Sequence, residues 1–194
     1  MKAYLDWCKS NGVIMDKVDF PAVFSGVCGA KANSDIKPNE AFVYVPNKLI
    51  ISVEAARKSE LSDVFRSHDA LFVSNIDRDY FILVVFLLFE RTKGDKSFWH
   101  PYFEAVNPGS YTSLWPDNII GMIDEPELKL NLKTNRDKIE LDYENVQKLK
   151  DLYPQHFGLV TRDMFEWAIV FVTTRCFGWG LPSTMLVPLA DALN

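Results

Sequence analysis

The chain has 194 residues, 48% of them hydrophobic, which is enough for one buried core with a helical excursion from it. Lys and Arg number 21 against 26 Asp and Glu, the two signs are interleaved, and the net charge is −5. That balance lacks the basic excess on which phosphate-backbone binding depends, so it argues against nucleic acid as a primary partner.

Residues 1–11 put Tyr4, Leu5, Cys8 and Trp7 on one side at helical spacing, and Gly12 follows as a stop. The pattern predicts a short docking helix. From residue 13 to 51 it changes to short apolar stretches, 22–24 and 41–45 among them, broken by Pro21, Gly26, Gly29, Pro38 and Pro46. This is the signature of a small sheet with tight turns. Residues 35–40 have turn composition and are expected to join two of those strands in a hairpin. Ser52 is a fitting N-cap, with Glu54 in the first turn of a short helix.

Beyond it the periodicity predicts helices over 77–93, 98–106 and 137–152, the last from Ile139, Tyr143, Val146 and Leu149. The Pro- and Gly-containing stretch between the second and third reads as a structured loop with a short turn of helix. Thr161 caps a final helix whose apolar face is Phe165, Ala168, Ile169, Val172 and Cys176, and which delivers Arg175 near its end. Residues 184–194 read as a strand-like apolar run interrupted by Asp191. No internal repeat or long linker divides the chain, so the sheet and helical parts are expected to pack as one unit.

The apolar run at 81–89 is nine residues where a membrane span needs about 20, and it reads as a buried helix. Cys8, Cys28 and Cys176 are odd in number and far apart, which offers neither a disulfide framework nor a metal knuckle. With no recognisable secretion signal, a cytoplasmic or nuclear location is expected. His68, His100 and His156 lack metal-ligand spacing, and neither a G-x-S-x-G elbow, a P-loop nor a Rossmann fingerprint is present. No metal site and no membrane partner are expected.

Three places could carry chemistry. In Ser25-Gly26-Val27-Cys28-Gly29-Ala30 the glycines let backbone approach a ligand, or simply make a tight turn between strands. Arg175 could hold an acidic group in a buried site without titrating, or be a solvated cation favoured by the helix dipole. Asp191 and Asn194 would need partners if buried, and otherwise belong to a loose chain end. The aromatic segment Phe98-Trp99-His100-Pro101-Tyr102 reads as core packing.

Taken together, "GVCGAKANSDIKPNEAFVYVPNKLIIS", "FERTKGDKSFWHPYFEAV", "FEWAIVFVTTR" and "LVPLADALN" occur in the order and approximate spacing of one family. They resemble the SET-domain protein methyltransferases of the Rubisco large-subunit lysine and actin-histidine methyltransferase group, over nearly the whole chain. The resemblance implies an α+β fold, the small twisted β-sheets of a SET domain with a mainly helical insert. It divides the chain into an N-terminal helix and SET part (1–75), an insert (76–170) and the start of a C-terminal SET part (171–194).

It also implies S-adenosylmethionine as cofactor, a lysine or histidine of a protein as substrate, and cofactor contacts from Gly26, Val27, Cys28, Gly29, Thr174, Arg175, Asp191 and Asn194. The family commonly has glycine at the position of Val27, and this chain has Gly26 beside it instead. The His that follows the family's Asn, and the later segment with its catalytic Tyr, lie beyond Asn194. No catalytic residue is therefore assigned, and weak or absent cofactor binding is expected of the isolated chain. The alternative is a catalytically inactive or truncated SET-derived protein-interaction module.

Overall fold

A computed structural model describes residues 1–72, 78–178, 181 and 183–193, with Arg78 by its backbone alone. Helix α1 (Lys2–Ser10) buries Tyr4 and Cys8. It ends where Gly12, at φ +90, lets the Gly12 and Val13 N–H groups bond back to the Lys9 and Cys8 carbonyls, which satisfies the helix's last acceptors.

Strands β1 (Val18–Phe24) and β2 (Val27–Ala32) form an antiparallel pair. Ser25 and Gly26 turn it, with φ of 49 and 85, the positive pair that a tight primed hairpin turn requires. The hairpin thus closes ten residues earlier than the turn composition of 35–40 suggests. Residues 41–45 make no strand beyond one bridge between Ile14 and Tyr44. Two exchanged backbone bonds hold that bridge, which is too little to extend the sheet through the Pro-rich stretch on either side.

Strand β3 (Ile51–Ser52) runs into α2 (Val53–Arg57), capped as expected by the Ser52 hydroxyl, which accepts from the Ala55 N–H at 3.1 Å. Helix α3 (Ser62–Ser67) follows, then α4 (Arg78–Thr92). Every residue from Phe81 to Phe89 is buried, so a helix apolar on all sides lies inside the molecule. Asp77, at the expected start of α4, lies outside the described residues.

Helix α5 (His100–Ala105) has Pro101 in its first turn, where its missing N–H costs nothing. Two short 3-10 and helical turns, including α6 (Asp117–Gly121), occupy the loop before α7 (Pro126–Leu152). α7 begins eleven residues before the apolar periodicity does. Its first turns expose Leu128 and Leu130 and so carry no core stripe. What starts it is Pro126 at the first helical position and the Glu125 carboxylate, which accepts from the Glu127 N–H at 3.0 Å and from the Leu128 N–H.

A single turn, α8 (Pro154–Phe157), leads to α9 (Arg162–Arg175), capped by Thr161, whose hydroxyl accepts from the Met164 N–H at 3.2 Å. α9 packs along α4 at the centre of the molecule. Strands β4 (Cys176–Phe177) and β5 (Met185–Leu186) complete a second sheet in the order β3-β5-β4, all antiparallel. The apolar run near the chain end is therefore strand only at Met185 and Leu186. Leu189, at φ 71 and ψ −43, breaks it and starts the 3-10 turn Ala190–Ala192.

One continuous core joins these parts. It runs from Tyr4 and Cys8 through Ile51, residues 80–89 of α4, Tyr102 and Phe103 to Phe171 and Leu186. The β1–β2 hairpin packs against it through Phe20 and otherwise stands outside, with Val23 at 72% and Val27 at 69% exposure near its tip.

Candidate functional site

The second sheet is what assembles the site. β4 leaves directly from the last residue of α9, which is Arg175, and β5 turns back toward the Asp191 segment, so the two side chains meet across the sheet's end. Leu189 makes that return possible. Its positive φ is a conformation a branched side chain rarely adopts, and its nearly complete burial holds it there.

Asp191 is 4% exposed. Its Oδ2 accepts from the Tyr102 hydroxyl at 2.7 Å and from the Arg175 guanidinium at 3.1 Å. Arg175 also donates to the Asp191 carbonyl and, from its other terminal nitrogen, to the Asn107 carbonyl, both at 3.4 Å. Its guanidinium lies 6.0 Å from the centre of the Phe171 ring. One cation thereby ties α9, the residues after α5, and the Asp191 turn together.

Around this pair lies a cleft of about 380 Å³, lined by Met1, Tyr4 of α1, Phe20 and Cys28 of the hairpin, residues 105–108, and Thr174, Arg175, Asp191 and Ala192. Two buried polar atoms beside it, Asp191 Oδ1 and Arg175 Nε, have no hydrogen-bond partner among the described residues. Buried polar groups are nearly always paired, so two such atoms at one cleft point to a ligand that pairs them.

Burial raises the Asp191 carboxyl above its ordinary value, against the Tyr102 and Arg175 donors that favour its ionised form. Burial also holds the Tyr102 and Tyr4 hydroxyls far above the usual tyrosine range, so both are neutral near pH 7. The Cys8 thiol, beneath Tyr4, is pushed up by burial to about 11.

Of the residues singled out from sequence, Cys28, Thr174, Arg175 and Asp191 line this one cleft although they come from three distant segments. Gly26, Val27 and Gly29 do not line it. Gly26 and Val27 sit at the exposed hairpin tip, and Gly29 faces the Phe24 ring. The Thr174 hydroxyl is spent on the backbone, donating to the Val170 carbonyl at 2.7 Å. Asn194 lies outside the described residues. The sequence reading missed Tyr102 and Tyr4, whose rings stack 5.9 Å apart under the cleft. The only signal for either was that a buried tyrosine hydroxyl wants a partner.

Structural comparison finds this architecture in solved proteins. The SET domain of LSMT bound to lysine and AdoHcy superposes with a TM-score of 0.82 at 23% identity, covering 100% of this chain and 43% of that one. Rubisco LSMT bound to AdoMet gives 0.80 at 24% identity, covering 98% and 43%. The fold is that of a SET domain.

In sequence the chain is similar to actin-histidine N-methyltransferases. It is 28% identical to that of Xenopus tropicalis over 180 residues, which is 88% of this chain and 30% of the relative. The human enzyme gives 26% over the same share of this chain and 29% of its own length. The chain thus spans about 30% of the length of the curated relatives it matches. No protein-family model matches it. Relatives and structural neighbours both fall within the methyltransferase group that the four motifs resemble.

Proposed function

We propose that the cleft is part of an S-adenosylmethionine site, and that the chain is a section of a SET-type protein methyltransferase acting on a lysine or histidine side chain. The single observation that carries this reading is the meeting of Cys28, Thr174, Arg175 and Asp191 in one cleft. The solved neighbours' AdoMet and AdoHcy complexes and the relatives' actin-histidine activity point the same way.

The residues present fit the cofactor. It carries a carboxylate, which suits the free Arg175 Nε–H, and ammonium and hydroxyl donors, which suit the free Asp191 Oδ1. When bound it supplies an activated methyl group on a sulfonium. The chain's own part is to hold it, exclude water with Phe20, Ala105 and Val106, and fix its charged end.

The same reading divides the chain into SET parts at 1–75 and 171–194 around an insert at 76–170. The pairing of β3 with β5 across the intervening helices supports it.

The test is an NMR titration of the isotope-labelled chain with S-adenosylhomocysteine to millimolar concentration, which detects even weak binding. Shifts concentrated at Cys28, Asn107, Thr174, Arg175 and Asp191 are expected. Shifts absent throughout, or confined to other faces, would overturn the reading and favour a non-catalytic interaction module.

A further inference from the structure

We propose that Tyr102 is a positioning residue for this site, fixing the Asp191 carboxylate so that one oxygen is committed to the protein and the other is left to the ligand. The proposal rests on the cleft being a cofactor site. It concerns a residue that does not line the cleft and that the sequence pattern assigns to packing alone.

The geometry is specific. Tyr102 is fully buried on α5, clamped by Tyr4 at 5.9 Å and by Phe171 edge-on at 5.2 Å between ring centres. Its ring therefore cannot swing, and its hydroxyl has one described partner, Asp191 Oδ2, at 2.7 Å. A neutral phenol beside a carboxylate donates. Arg175 approaches the same oxygen from the opposite element, so both donors converge on Oδ2 and neither reaches Oδ1. Two donors on one oxygen fix the carboxylate's rotation, and the second oxygen has no partner among the described residues, which leaves it as the acceptor for a ligand.

The groups that face Asp191 are Tyr4 and Cys8 from α1, Tyr102 from α5 and Arg175 from α9. Arg175 is the lone cation among them, so the Tyr102 hydroxyl is the main neutral donor holding the carboxylate ionised.

Tyr102→Phe removes that donor and keeps the ring. Two readouts follow: the carbon-13 titration of the Asp191 carboxyl, and S-adenosylhomocysteine affinity by NMR. The variant should raise the Asp191 midpoint and weaken binding roughly tenfold, the scale of one lost bond to a charged group. By the same linkage its thermal midpoint should fall at neutral pH and recover toward that of the unmodified chain at acid pH, where Asp191 is protonated. Difluorotyrosine at position 102, a stronger donor, should lower the Asp191 midpoint instead, which a packing role would not do. An unchanged Asp191 midpoint in both variants overturns the proposal while leaving the cofactor reading intact. Failure of the unmodified chain to bind overturns the cofactor reading and, with it, any role of Tyr102 in ligand placement.

Discussion

Arg175 and Asp191 are worth more as a pair than either is alone. Arg175 is about one-fifth exposed and Asp191 is buried, so removing the cation leaves a carboxylate in the interior with a single phenol for company. Arg175→Ala should cost about 3 kcal/mol of stability, read from denaturant midpoints, and Arg175→Lys less, because a charge is kept while the link to Asn107 is lost. The acid dependence has a definite sign. Burial raises the folded-state value of Asp191 above its ordinary 3.8, so this group's stabilisation is complete below that value and is lost as pH rises through the raised one. The stability of the natural chain relative to Asp191→Asn should therefore fall across that window, and a difference that is flat with pH would contradict the burial argument. At this scale the sequence spoke unevenly. Arg175 and Asp191 were legible because one ends, and the other lies within, a distinctive motif. Tyr102 was not, since nothing in the spacing of an aromatic helix tells that residue 102 meets residue 191.

The elements that hold these residues obey ordinary helix rules. α9 carries Arg175 at its end and Phe171 one turn earlier, and Phe171 packs edge-on against both Tyr102 and Phe103. Phe171→Ala should cost about 3–5 kcal/mol through the cavity it opens. Thr161→Ala, which strips the cap at the other end of α9, should cost about 1 kcal/mol. Leu130→Ala, on the exposed early part of α7, should stay within about 0.5 kcal/mol, and thermal melts of the three variants check the ranking. Caps and periodicity made α2, α4 and α9 readable in advance. The start of α7 was hidden because an exposed helix half has no apolar stripe to reveal it, and the hairpin's register was hidden because Ser25 adopts a positive φ that its residue type does not advertise.

Across the whole molecule, stability is unevenly spread. The core runs through α1, α4, α5 and α9, while the β1–β2 hairpin is a two-stranded arm with an apolar tip in water. Isolated two-stranded pairs are marginal, so amide hydrogen exchange should be fast over Val18–Ala32 and slowest in α4 and α9; comparable protection in both would contradict this division. Cys28 brings that arm to the cleft's edge, so ligand in the cleft should slow exchange in β2. The SET architecture was legible only through the joint order of four motifs, because β3, β4 and β5 are two residues each and too short for any local pattern.

The central claim is that one cleft, lined from five separate segments, holds S-adenosylmethionine. A crystal structure of the chain grown with saturating S-adenosylhomocysteine tests it most directly. The ligand should lie between Cys28, Asn107, Arg175 and Asp191, with Asp191 Oδ1 and Arg175 Nε newly paired. A cleft holding only solvent at saturating ligand, or the ligand bound on another face, would contradict the claim.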